Sequence, residues 1–236
     1  MRYIGGKVRI AKQLVEAMRI PGDACYVEPF VGGGAVLEHV RARYRIASDA
    51  FRPIVALLQA VSQGWTPRTD CTQQMYELLK WACENQGMLQ YLCAQECFDG
   101  FACSLQGAWL GGWDANRDCN QTNHKSRAEI CRDVLLRSAP RLAGVHWNSV
   151  DYAVLPIPHG SYVYCDPPYA GTRGYATGAF DSDAFWRWAA EESRRSRVFV
   201  SELTAPTGWK PLWRGSKARM GARDGSRRVE TLWARD

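Results

Sequence analysis

The sequence lacks any run of about 18 consecutive apolar residues, the length a membrane-crossing helix needs. Its opening stretch, MRYIGGKVRI, is basic and broken by glycines, so it has no apolar core of the kind a secretory signal carries. These two absences lead us to expect a protein with no membrane span and no signal peptide, acting in the cytoplasm. Internal repeats and low-complexity tracts are missing as well, which excludes solenoids and disordered tails. Histidine is scarce, at four residues. Nine cysteines are present, but none form a C-x2-C pair. Cys93, Cys97 and Cys103, with Cys119 and His124, supply the residue types of a zinc site without the paired knuckles that mark one. Reduced, small, core-packed thiols account for the cysteines equally well, and no metal is expected.

The chain has 236 residues, 46% of them hydrophobic and 23% charged, which is enough for a sizeable core in one or two domains. Its formal net charge is +6, unevenly placed. Between Trp186 and Arg228 eleven Lys and Arg stand against four Asp and Glu, and the rest is close to neutral. A basic region on a neutral body suits a polyanion, nucleic acid above all, and equally serves as a solubilising face.

Periodicity predicts a mostly parallel α/β fold. KVRIAKQLVEAMRI reads as a short amphipathic helix with Val8, Leu14, Val15 and Met18 on its apolar side, ended by PGD. ACYVEPF reads as a buried strand, and VGGGAVLEHVRARY as a glycine turn opening a helix. RIASD follows as a second strand, and PIVALLQAVSQG as a helix with Pro53 at its start and Gly64 near its end. From about residue 65 to 140 the composition turns to Gln, Cys, Trp and Asn with mostly helical patterning. Its last helix, RAEICRDVLLRSAPRL, is expected to close at Pro140. Strand patterns return in GVHWNSV, SYVYC, RVFVSE and RRVETLW, with a helix over SDAFWRWAAEESRRS. In such sheets ligands bind at the carboxyl ends of the strands. Those ends carry Glu28-Pro29-Phe30, Asp49, Asp151 and Asp166-Pro167-Pro168-Tyr169, so four strands deliver a carboxylate to one edge.

Each end suggests a chemistry. The glycines Gly32, Gly33 and Gly34 let backbone approach a ligand closely, and the acid before them suits a cationic ligand better than a pyrophosphate. S-adenosylmethionine, with its ammonium, sulfonium and ribose, fits that description; a plain tight turn is the alternative. Asp49 is placed to accept from ribose hydroxyls, or to cap the next helix. Gly5 and Gly6 before Lys7 can lay backbone against a ligand and aim a cation at it. In DPPY, Asp166 and the Pro167 carbonyl offer two fixed acceptors. Pro168 locks the corner, and Tyr169 presents a flat face. Two acceptors aimed at one exocyclic amine would localise its lone pair and hold it in line for methyl transfer.

These elements, RYIGGK, VEPFVGGGAV, IASD, WNSVDY, DPPY, VFVSE and RRVETLW in this order, resemble the Dam-type (D12 class, α-group) DNA adenine-N6 methyltransferases over nearly the whole chain outside residues 65–140. The resemblance implies a Rossmann-like methyltransferase sheet, mostly parallel with an antiparallel strand. Residues 1–64 and 141–236 would form the cofactor-binding catalytic domain, and 65–140 a small, mostly helical inserted target-recognition domain. S-adenosyl-L-methionine would be the cofactor, held by Tyr3, Gly5, Gly6, Lys7, Glu28, Pro29, Phe30, Gly32, Gly33, Gly34, Asp49, Asp151, Tyr152 and Asp166. Double-stranded DNA would be the partner, with the target adenine flipped onto Asp166, Pro167, Pro168 and Tyr169. Trp109, Trp113, Asn116, Arg117, Asn120 and Lys125 would face DNA, although the two tryptophans could equally be core residues of the insert. A monomer suffices for this chemistry, and a cognate restriction enzyme is a further partner the resemblance allows. Ile4 departs from the small residue common before Gly-Gly, and the insert lacks the hairpin signature of GATC readers. The rivals are a cytosine-N4 methyltransferase, in which Ser commonly replaces Asp166, an RNA or protein-glutamine methyltransferase, and a catalytically silent DNA-binding relative.

Overall fold

The computed structural model describes residues 6–114, 125–168, 180–218 and 227–235, with the side chains of 216–218 and 227–228 excepted. Seven strands form one sheet: β1 Cys25–Glu28, β2 Tyr44–Ser48, β3 His146–Asn148, β4 Tyr162–Cys165, β5 Arg197–Glu202, β6 Lys210–Ala218 and β7 Arg227–Ala234. Their spatial order is β3-β2-β1-β4-β5-β7-β6. The first five run parallel. The last strand inserts antiparallel between β5 and β6. The helices are α1 Ala11–Met18, α2 Arg52–Ser62, α3 Gln73–Gln86, α4 Ala94–Ala102, α5 Arg127–Leu142 and α6 Ser182–Glu192. This mixed α/β fold is the Rossmann-like sheet that the resemblance implied.

Strand alternation builds a core on each face. Tyr26, Ala47, Tyr164, Phe199 and Leu232 point to one side, where they meet Leu14, Met18, Leu37, Ile54 and Leu58. Val27, Val163, Cys165, Val198 and Val200 point to the other, against Phe185 and Ala189 of α6 with Leu155, Ile157 and Trp209. Successive strand residues alternate faces, so a central strand must be apolar on both. Helices α4 and α5 pack on α2. Tyr76, Phe98, Phe101 and Leu135 from the 65–140 segment therefore join the same buried cluster as the first sheet face.

Three elements differ from the sequence expectation. The glycine turn opens only a single 3-10 turn, Leu37–His39, after which Val40 is already extended. One turn suffices to bury Val36, Leu37 and Val40, and the chain must then reach β2 only a few residues on. Helix α5 runs through Pro140 to Leu142 instead of stopping there. Strand β6 was not anticipated, because KPLWRGSKA carries Pro211 and Gly215. It lies at the sheet edge, where proline is tolerated, and its register with β7 shifts between Pro211 and Trp213.

Close approach decides one glycine. A Cβ on Gly100 in α4 would lie 2.4 Å from the Trp109 ring. Trp109 also packs edge-on against Phe51 at 5.3 Å and Phe101 at 4.9 Å between ring centroids. Alanine at this helical site would gain about 1 kcal/mol of propensity. Forcing the indole aside costs about 1–3 kcal/mol before any knock-on shift of α2. Gly100→Ala is therefore expected to lower the urea midpoint; a raised midpoint would show that the indole yields freely.

Candidate active site

The parallel topology puts the last residues of β1, β2, β4 and β5 at one edge of the sheet. Glu28 closes β1, Asp49 follows β2, Asp166 follows β4 and Glu202 closes β5. Antiparallel β7 brings Glu230 to the same edge, beside Asp166. Lys7 comes from the turn before α1, whose first amides, on Ile10 and Ala11, donate to its carbonyl. Its ammonium donates to Asp166 Oδ1 at 2.5 Å and lies 3.2 Å from Glu230 Oε1. Lys7 and Glu230 are each 3% exposed, and Asp166 is 21% exposed. Burial works against the Lys7 charge, but Asp166 and then Glu230 outweigh it, and its pKa lies above the ordinary lysine value.

Glu28 is buried and accepts a hydrogen bond from the Tyr26 hydroxyl at 2.7 Å. Burial pushes its pKa well up; the Tyr26 bond opposes this, while Asp166 and Asp49 add to it. Among the described residues Glu28 forms no ion pair with Lys or Arg, so a ligand bearing a cation would be stabilised there. Asp49 Oδ2 accepts from the Gly32 amide at 2.9 Å, and Oδ1 from the Phe51 amide at 2.9 Å. It thus ties the glycine turn to the start of α2. Burial raises its pKa to about 6, against these two hydrogen bonds. A carboxylate has about four acceptor positions, so two backbone amides leave it capacity for hydroxyls. Within the turn Gly32 has φ 45° and Gly34 φ 72°. Gly34 needs its left-handed conformation, and Leu58 sits only 3.5 Å from where its Cβ would be.

Next to the turn, Phe30 and Tyr152 stack at a tilt with centroids 5.2 Å apart, and Phe180 meets Phe30 edge-on at 6.0 Å. Asp151 is exposed, and its Oδ1 accepts from the Ala153 amide at 2.9 Å. Pro29, Gly6 and Gly33 lie at the same edge by sequence, and Pro167 and Pro168 follow Asp166 directly. Tyr3, Gly5, Tyr169, Asn116, Arg117 and Asn120 lie outside the described residues. Trp109 is spent on packing against Gly100, and Trp113 on packing against Tyr76 at 5.3 Å. Both rings are partly buried against the hydrophobic cluster that the insert shares with the sheet. Lys125 pairs with Asp133 at 2.5 Å.

The sequence reading missed Glu230, Glu202 and Tyr26 as members of this edge. A single acid inside each of the apolar strands VFVSE and RRVETLW was the available signal. Of the cysteines weighed for zinc, Cys93 is exposed while Cys97 and Cys103 are buried; Cys119 and His124 lie outside the described residues.

The donor set suits S-adenosylmethionine: buried acid for its cations, a half-engaged carboxylate for hydroxyls, glycines for close approach and aromatic rings for a flat base. Sheet order and acidic strand ends together define a Rossmann-like α/β sheet with an acidic edge where its parallel strands finish. Residues 3–99 match the model of the D12 class N6 adenine-specific DNA methyltransferases, so the family resemblance holds over that part of the chain. No curated protein matches. Among thirty solved chains that match is SMU.472, described as a candidate methyltransferase complexed with SAH. It shares 11% identity at a TM-score of 0.40, and the alignment covers 97% of this chain and 52% of that one. This chain thus spans about half the length of that structure, and the fold assignment rests on strand order instead.

Removing the cation that Asp166 and Glu230 share leaves two acids facing each other. Breaking a buried pair in this way costs about 3–5 kcal/mol. Lys7→Met should therefore unfold at markedly lower urea, and adding Glu230→Gln should restore part of the loss. Wild-type stability in Lys7→Met alone would show that the pair carries no weight.

Proposed function

We propose that the protein transfers a methyl group from S-adenosyl-L-methionine to N6 of an adenine flipped out of double-stranded DNA. The observation that carries this is Asp166, seated at the end of β4, ion-paired to buried Lys7 and followed by two prolines. When bound, S-adenosylmethionine supplies an electrophilic methyl on a sulfonium. The chain's own residues would do the rest. Glu28 with Pro29 and Phe30 would face the methionine end, Asp49 the ribose, and Tyr152 with Phe30 the adenine ring.

Asp166 and the Pro167 carbonyl would accept from the two N–H groups of the target amine. The Lys7 ammonium beside Asp166 favours a carboxylate there, the form that accepts without donating. Proline has no N–H to compete with the amine for that carbonyl. As the amine attacks, positive charge develops on it, and the ionised Asp166 stabilises that charge before the proton leaves. Tyr169 would stack on the extruded base. The 65–140 segment would act as the target-recognition insert, with Asn116, Arg117, Asn120 and Lys125 reaching DNA, and the basic stretch from Arg187 to Arg228 would grip phosphates. A cytosine-N4 reading is disfavoured by Asp at 166 and by the adenine-N6 family match over residues 3–99. Action in the cytoplasm, with or without a cognate restriction enzyme, is part of the same proposal.

Asp166→Ala should abolish transfer of labelled methyl groups to duplex DNA while DNA retention on filters stays near wild type. Near-normal turnover would sink the mechanism.

The raised pKa of Asp49 gives a second check. Both Asp49 oxygens already accept a backbone amide, so taking a hydroxyl as well favours the ionised form, whose population grows as pH rises through about 6. Calorimetry should find S-adenosylmethionine bound more tightly at about pH 7.5 than at about pH 5, with Asp49→Asn weakening binding and removing that step. An affinity that ignores pH across this window would remove Asp49 from the ribose.

A further inference from the structure

Away from the sheet edge, two segments of the insert bring metal-ligating atoms together. Cys71 precedes α3, Asp99 lies in α4 and Cys103 follows α4 directly. One ligand atom from each lies within 4.8 Å of the other two, and all three residues are buried. Asp99 and Cys103 are four residues apart, so they share one face of the helix and its end.

The carboxylate is the unusual member. Buried thiols alone are common core residues. A buried carboxylate is costly unless a cation or proton neutralises it. Among the described residues Asp99 forms no ion pair with Lys or Arg. Its Oδ1 accepts from Gln95 Nε2 at 2.9 Å. Gln95 in turn binds the Arg68 backbone on both sides of its amide, accepting at 2.9 Å and donating at 3.2 Å. The carboxylate and the segment carrying Cys71 are thus held by one outer side chain, as in the supporting shell of a metal site.

We propose that Cys71, Asp99 and Cys103 form a zinc site that staples α4 to the segment before α3. Thiolates select zinc over harder divalent ions. A tetrahedral zinc with Zn–S bonds of about 2.3 Å needs its donors about 3.7 Å apart, so side-chain shifts of about 1 Å close the site. Two thiolates and one carboxylate supply enough negative charge to neutralise the ion. This set differs from the Cys93, Cys97, Cys103, Cys119 and His124 grouping weighed from the sequence, sharing only Cys103. It is also independent of the reaction, since it lies in the insert and not at the strand ends.

Full-length protein purified under reducing conditions with zinc should carry about one equivalent by inductively coupled plasma mass spectrometry. Cobalt exchanged into the same protein should give the thiolate-to-metal charge-transfer and intense visible bands of a tetrahedral sulfur site. Cys71→Ser and Asp99→Asn should lose the equivalent or change the cobalt spectrum, whereas Cys93→Ser should keep both. The wild-type spectrum decides the matter even if a variant fails to fold. Absence of both metal and cobalt bands in folded wild type would overturn the site. So would a Cys71–Cys103 disulfide in the reduced preparation, or metal retained unchanged in Cys71→Ser.

Discussion

Parallel strands that start at one end of a sheet must all finish at the other, so the acids in their last residues are forced together. Here Glu28, Asp49 and Asp166 meet in this way, and antiparallel β7 adds Glu230. Like charges at such range disfavour one another's ionisation. The buried Lys7 ammonium lies between Asp166 and Glu230 and offsets part of that repulsion. Its position depends in turn on the turn into α1 and on β7 lying beside β5, so the ends of the chain's fold converge on one ion pair.

The remaining acids at the edge are handled by hydrogen bonds. Tyr26 holds Glu28, and two backbone amides hold Asp49. Neither device neutralises charge. Both leave an electron-rich edge beside a glycine turn and an aromatic group, complementary to a cationic, ribose-bearing ligand. The same residues therefore serve fold and site: Asp49 pins the glycine turn, and the turn shapes the space that Asp49 would face.

Local signals carried much of this into the sequence. Strands such as YVYC and RVFVSE are apolar on both faces, and the acids at their ends stand out against that background. Pairings between distant segments did not announce themselves. Glu230 acquires its meaning only because β7 inserts between β5 and β6, a fact of topology. Strand β6 was hidden by Pro211, which is permitted only because the strand is an edge. The Trp109 indole against Gly100 is likewise a contact that no local pattern announces. The Cys71 thiol comes from a different part of the insert than Asp99 and Cys103 of α4 and its end, and spacing rules built for paired knuckles pass over them.

The central claim is that the edge built around Asp166 directs a methyl group onto the exocyclic amine of adenine in duplex DNA. Nucleoside analysis by mass spectrometry, on duplex DNA incubated with the protein and isotopically labelled S-adenosylmethionine, reads the modified base directly. The account predicts label in N6-methyladenine, absent when Asp166 is replaced. Label in N4-methylcytosine, or none in DNA with protein that binds the cofactor, would contradict it.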